Sequence, residues 1–386
     1  VPTAPDAGLP VGAMTAHLTE MIRAGGPMTL NTYMAQVLTH PTLGYYTTQE
    51  PFGAAGDFIT APEVSQMFGE LIGVWCAHTW AQMGSPARVY LTEAGPGRGT
   101  LMKDLLRATA KVSGFADALD VHLIEVSPRL RDIQRDVLGD TSVTWHDTLD
   151  TIPTDLPLIL VSNELLDALP IRQFERTIKG WCERLVDVDP SSGGHSSTGG
   201  SGFRFVLTQA PSSAAAMLPA SVRDAPLGSV AEVSPTSIAL ISNLSQRLLA
   251  QGGAGLLIDY GSDTFGARDT LQAVAQHKPH PALEAPGTAD LCAHVDFAML
   301  AQAAAEQGAG VWGPVTQGAF LTELGISERA AALRRVATEA QHNDIDSALD
   351  RLVGGKAMGS LFKVLGLSHP DLPPLAGFDG RAGITA

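Results

Sequence analysis

Between Arg88 and Leu365, short apolar runs alternate with segments whose apolar positions recur at helical spacing. The runs Arg88–Glu93, Val121–Val126, Val143–Trp145, Leu158–Ser162 and Ala254–Tyr260 predict strands. Leu101–Lys111, Pro128–Leu138 and Thr236–Ala250 predict helices between them. Strands separated by helices pair in parallel through right-handed crossovers, so the expected class is α/β, a doubly wound, mostly parallel sheet. Val311–Thr316 and Leu361–Leu365 are candidates to finish it.

Ahead of residue 86 the pattern is helical instead. One helix is expected over Thr15–Arg23, closed by Gly25-Gly26-Pro27, and a second from Thr29 to Thr39, stopped by His40-Pro41. A third, Glu63–Met83, carries Met67, Phe68, Leu71, Val74 and Trp75 on an apolar stripe, and Trp80 joins them as expected core. Two stretches interrupt the later rhythm. Residues 171–210 suggest antiparallel strands around a Gly/Ser-rich hairpin tip, and residues 263–307 a loop-rich, then helical, cap. The expected division is therefore a helical extension over 1–85, a core over 86–366 holding both insertions, and a tail over 367–386.

Composition narrows the function classes. The 386 residues are 45% apolar and 17% charged, enough for a sizeable core. With 25 Lys+Arg against 40 Asp+Glu the net charge is −15, which argues against general nucleic-acid binding and against an electrostatic membrane anchor. No apolar run approaches about 18 residues, so no membrane insertion is expected. Val1-Pro2-Thr3 does not open a signal-like segment. Cys76, Cys182 and Cys292 lie far apart without a CxxC pair, which fits a reducing compartment and no disulfide. His277 and His280 straddle Pro279, so a helical metal pair with His294 is not expected.

The chemistry should sit where strands end, because ligands of open parallel sheets occupy the crevice beyond the strand carboxyl ends. Glu93-Ala94-Gly95-Pro96-Gly97-Arg98-Gly99 is a glycine-rich turn between a strand and a helix. Its spacing is G-x-G-x-G behind an acid, unlike the G-x-G-x-x-G of dinucleotide sites. Glu93 would repel a pyrophosphate but pair with an ammonium, which favours S-adenosyl-L-methionine over NAD. Further acids close successive strands: Glu125, placed to accept from ribose hydroxyls, Asp147, placed for an adenine amino group, and Asn163-Glu164 after the fourth strand. Asp57, in the Gly-rich segment before the long helix, is placed to contact the amino-acid end of the methyl donor, with Glu63 and Gln66 weaker candidates beside it.

Several separated stretches resemble one family. They are Tyr33–Tyr46, Gly56–Glu70, Gly95–Met102, Ser162–Pro170, Ile258–Gly261, Gly287–Phe297 and Met358–Lys363. The chain resembles the MidA-type methyltransferases, bacterial relatives of the mitochondrial complex I assembly factor that methylates arginine. Gly56–Glu70 and Asn163–Pro170 are the specific stretches; the glycine loop is shared by many methyltransferases. Where this family commonly carries an aromatic pair, the chain has Leu165-Leu166.

The resemblance implies a seven-stranded, Rossmann-like class I methyltransferase sheet and S-adenosyl-L-methionine as cofactor. It implies a protein substrate presenting an arginine, on a subunit of respiratory complex I type. Guanidinium is a poor nucleophile, and a carboxylate pair can bind it and take its proton. Glu164 and Asp167, three apart after a strand, are the candidates, with Asn163 beside them. A non-catalytic assembly protein on the same fold and an NAD-dependent oxidoreductase are the alternatives. A homodimer is left open, and the compartment is the cytoplasm in a bacterium or the mitochondrial matrix in a eukaryote.

Overall fold

The computed structural model describes residues 12–49, 60–192 and 202–378, and these divide between two compact units. The larger takes in Phe52–Asp167, Pro235–Phe265 and His294–Ala386; the smaller takes in Val1–Pro51, Ala168–Ser234 and Gly266–Ala293.

The larger unit is built on seven strands: β1 (Val89–Ala94), β2 (Leu119–Ile124), β3 (Val143–His146), β4 (Leu158–Asn163), β5 (Gly253–Ser262), β6 (Gly310–Thr316) and β7 (Phe362–Ser368). Their order across the sheet is 3-2-1-4-5-7-6, and the two-residue strand Val295–Asp296 adds to the end of β5. Pairs 3–2, 2–1, 1–4 and 4–5 are parallel, whereas β7 runs antiparallel to both β5 and β6. The order reverses between β1 and β4, so two adjacent strands send their chains to opposite sides and leave a crevice at their carboxyl ends. All six residues of β1 and of β4 are buried, as expected of central strands covered on both faces.

The helices of this unit include α1 (Gln66–Gln82), α2 (Thr100–Thr109), α3 (Pro128–Leu138), α4 (Pro235–Gln251) and α5 (Phe297–Gln307). The single helix expected over Glu63–Met83 is broken. Ala61–Val64 forms one turn, Ser65 is extended at φ −164, and its hydroxyl accepts the Met67 N–H to cap α1. Phe68, Trp75 and Trp80 are buried in the core, as their spacing predicts, whereas Val74, expected on the same stripe, is exposed. Gly69 and Gly73 let α1 approach α2 closely. A Cβ at Gly69 would stand 2.7 Å from the Asp104 Cβ, and one at Gly73 would stand 2.9 Å from the Leu105 carbonyl.

The smaller unit contains the expected antiparallel strands, Arg172–Thr177, Gly180–Val188 and Phe203–Leu207, joined by Val230–Val233 and Met28–Thr29 in one sheet. A second, three-stranded sheet is formed by Lys278–His280, Gln272–Ala275 and Asp290–Cys292. Helices Ala13–Gly25 and Leu30–Thr39 pack their apolar faces into this unit's core through Leu18, Leu30, Tyr33 and Met34. The helical segment expected over 1–85 is thus shared: its first two helices pack in the smaller unit, and α1 packs in the larger. Residues 263–307 are shared as well, since Gln272–Cys292 pairs in the smaller unit and α5 lies in the larger. Among the described residues Cys76, Cys182 and Cys292 are buried and form no disulfide. Among the described residues no helix is long and apolar enough to cross a membrane, and no cluster of His, Cys, Asp or Glu suits a metal ion.

Candidate active site

The crevice beyond β1 and β4 is lined by Glu93, Gly95, Gly97, Asn163 and Glu164, and also by Glu63 and Arg98. The backbone of the glycine loop determines its shape. Gly95, Gly97 and Gly99 all have positive φ, at 69, 51 and 82°, a region that L side chains rarely enter. A Cβ at Gly95 would also stand 3.0 Å from Leu165, one of the two leucines at the usually aromatic positions. Gly99 does not line the crevice; it is the residue before α2, and its N–H closes the turn on the Pro96 carbonyl at 2.7 Å.

Glu93 is only 3% exposed. Burial pushes its carboxyl up to about 8, against the pull of a hydrogen bond from the Met102 backbone. Its Oε2 is buried with no hydrogen-bond partner among the described residues, and the Asn163 Oδ1 is in the same condition. A buried polar atom without a partner is costly, and a cationic donor in the crevice would satisfy it.

Glu164 follows β4 with φ +53, uncommon for a residue other than glycine. Its N–H donates to the Ile258 carbonyl at 3.0 Å. Its Oε1 accepts from the Ala61 N–H and from Asn163 Nδ2, both at 2.9 Å. Burial pushes the Glu164 carboxyl up to about 7, the hydrogen bonds from Ala61 and Asn163 lower it, and the charges of Asp167 and Glu63 raise it further. Asp167 does not line the crevice; its N–H donates to the Asp259 Oδ2 at 3.2 Å.

Glu125 lies one residue past β2, 8% exposed, outside the crevice lining. Its Oε1 accepts the Ser127 N–H at 2.7 Å and its Oε2 accepts from Gln134 Nε2 at 3.2 Å. Burial raises its carboxyl above the ordinary range. The hydrogen bonds from Ser127, Gln134 and the Val126 backbone pull against that rise. Gln134 is a residue the sequence did not single out. From α3 it also donates to the Gly97 carbonyl at 2.7 Å and accepts from the Trp145 indole at 2.8 Å, so it links the glycine loop to Glu125 and β3. Asp147 does follow β3, but its side chain is 75% exposed and paired with Arg131 at 2.6 Å. The structure does not bring it to the crevice. Asp57 lies outside the described residues.

These groups suit a cation with a sulfonium and an amino acid end. The unpartnered Glu93 oxygen offers an ammonium site, the positive-φ loop leaves room for a ligand against the main chain, and Glu125 offers acceptors for hydroxyls. Residues 71–315 match a family described as "Putative S-adenosyl-L-methionine-dependent methyltransferase". The chain belongs to that methyltransferase family. Protein arginine methyltransferase NDUFAF7, mitochondrial, of zebrafish (Danio rerio) is 36% identical over 90% of this methyltransferase and 85% of its own length. The human (Homo sapiens) protein of the same name is 36% identical over 93% and 84%. A crystal structure from Burkholderia thailandensis, of a "likely methyl transferase" bound to S-adenosyl-homocysteine, is 28% identical with a TM-score of 0.81, covering 99% of this chain and 98% of that one. The sheet of this methyltransferase is accordingly the class I one, as the resemblance implied, with S-adenosyl-L-methionine as its cofactor.

Proposed function

We propose that this methyltransferase transfers a methyl group from S-adenosyl-L-methionine to a guanidinium nitrogen of arginine on a partner protein. The observation that carries the proposal is the position of Glu164: a held carboxylate, tuned to about 7, in the same crevice as the glycine loop and Glu93. The named activity of the zebrafish and human relatives supports it.

When bound, the cofactor supplies an electrophilic methyl on a positively charged sulfur. Glu93 holds its ammonium, Gly95 and Gly97 border it, Gly99 fixes the loop into α2, and Glu125 takes the ribose hydroxyls. Glu164 binds the arginine, and Asp167 adds negative charge behind it. A guanidinium has a pKa above about 12 and cannot attack until charge is drawn from one nitrogen. Glu164 does this by hydrogen bonding and takes the proton that this nitrogen gives up as the new N–C bond forms. Asn163 keeps Glu164 aimed, through its Nδ2 donor. Holding both reactants in line accounts for much of the expected acceleration.

The partner is a subunit of respiratory complex I type, by the family likeness. The curated relatives named above are mitochondrial proteins, and we place this chain in the equivalent matrix or bacterial cytoplasmic compartment. Incubation of candidate partners with the chain and isotopically labelled donor, followed by mass spectrometry, tests the proposal. Labelled methylarginine is expected. Donor binding without label on any arginine would favour a non-catalytic assembly role.

A further inference from the structure

Asp259, inside β5, is fully buried at 0% exposure. The donors recorded on its carboxylate are three main-chain N–H groups. Oδ2 accepts those of Leu166 at 2.7 Å and Asp167 at 3.2 Å, and Oδ1 accepts that of Tyr260 at 2.7 Å. It thereby joins β5 to the turn that follows β4. The same turn is held from its other end, where Glu164 donates its N–H to Ile258 and Asn163 pairs with Ile258 in register.

Between these two anchors lies Glu164 at φ +53, a conformation that persists only where the surroundings over-determine it. A hydrophobic residue at position 259 would fill the space but leave the two N–H groups of the turn unmet. A buried carboxylate is an unfavourable choice for packing alone, the more so with Glu164 and Asp167 nearby. Those neighbours and burial raise the Asp259 carboxyl above its ordinary range, while the N–H groups of Tyr260 and Leu166 lower it.

We propose that Asp259 is a positioning residue for methyl transfer: it straps residues 164–167 to β5 and so fixes the direction in which Glu164 presents its carboxylate to the substrate. The role rests on the arginine assignment above. It predicts a loss mainly in kcat, a smaller rise in KM because Glu164 also binds the arginine, and little change in cofactor affinity, because Asp259 does not line the crevice.

Asp259→Ala removes both acceptor oxygens and with them the two bonds to Leu166 and Asp167 that form the strap. Its cofactor Kd is expected within about threefold of the parent and its KM for an arginine peptide within about tenfold, with kcat at least about thirtyfold lower. A kcat within threefold of the parent, or a loss larger in KM than in kcat, would overturn the role. If the variant does not fold, amide hydrogen exchange on the parent chain decides. Leu166 and Asp167 are expected to exchange at least about a thousandfold more slowly than unprotected amides, and fast exchange there would overturn the strap. Exchange also separates the two proposals: slow exchange in a chain that never methylates arginine removes the reaction and keeps the strap, whereas fast exchange removes the strap whatever the turnover.

Discussion

Cofactor binding should release a proton from Glu93, and the size of the effect follows from its environment. Buried with one oxygen unpartnered, the carboxyl titrates at about 8. At pH 7 it is therefore only about 9% ionised. An ammonium placed on the unpartnered oxygen favours the anion, so binding at pH 7 should expel about 0.9 proton. Below this pKa, affinity should rise about tenfold for each pH unit, or about 1.4 kcal/mol. The donor's own amino group loses its charge near pH 8, so affinity should peak there and decline above it. The perturbation is pH and the variant is Glu93→Gln. The assay is titration calorimetry in buffers of different ionisation enthalpy, which reads proton release directly. The parent is expected to release close to one proton at pH 7 and to bind about tenfold more tightly at pH 7 than at pH 6. Glu93→Gln is expected to bind weakly with no release. Binding by the parent with no proton exchange at pH 7 would refute the ammonium site.

Five further outcomes are expected. Glu164→Gln should keep the cofactor Kd within about threefold and lose about 10² to 10⁴ in kcat, measured by radiolabel transfer. Because its carboxyl lies at about 7, raised rather than lowered, the parent's kcat/KM should fall as pH drops through 7, and a flat profile from pH 6 to 8 would contradict its role as base. Gly95→Ala combines a positive φ with a Cβ 3.0 Å from Leu165, so calorimetry should show at least about tenfold weaker cofactor binding at a conformational cost of roughly 1–2 kcal/mol. Gly73→Ala, despite a better helix former, should lower thermal stability by about 1–3 kcal/mol, because its Cβ would press on the Leu105 carbonyl; a raised Tm would contradict the close approach of α1 and α2. With a net charge of −15, the chain should show a KM for basic arginine peptides that rises with salt while kcat stays constant.

Much of the larger unit could be read from periodicity. Central strands such as Leu158–Asn163 are continuous apolar runs, and the segments between them have a helical period, so the strands and their parallel pairing followed. Glu93 and Glu164 were legible for a related reason: a charged residue that ends an apolar strand stands at the ligand edge of the sheet. The same rule failed at Asp147, because β3 is an edge strand and its end faces solvent and Arg131. Ser65 was hidden inside an apolar stripe, where only its cap on Met67 reveals the break. Gly69 and Gly73 read as poor helix residues until α2 supplies the reason for them. Gln134 and Asp259 act through contacts far along the chain, with Gly97 in one case and Leu166 in the other. No spacing rule in a single sequence brings such pairs together. The smaller unit was the least legible, because Met28–Thr29, Arg172–Thr177 and Val230–Val233 join one sheet from distant parts of the chain.

The most direct measurement compares parent and Glu164→Gln on one arginine-containing peptide with labelled S-adenosyl-L-methionine, followed by amino-acid analysis of the product. The expected result is label on the arginine guanidinium from the parent and at least a hundredfold less from the variant at equal cofactor occupancy. Label on another residue type, or equal label from both proteins, would contradict an arginine methyltransferase whose base is Glu164.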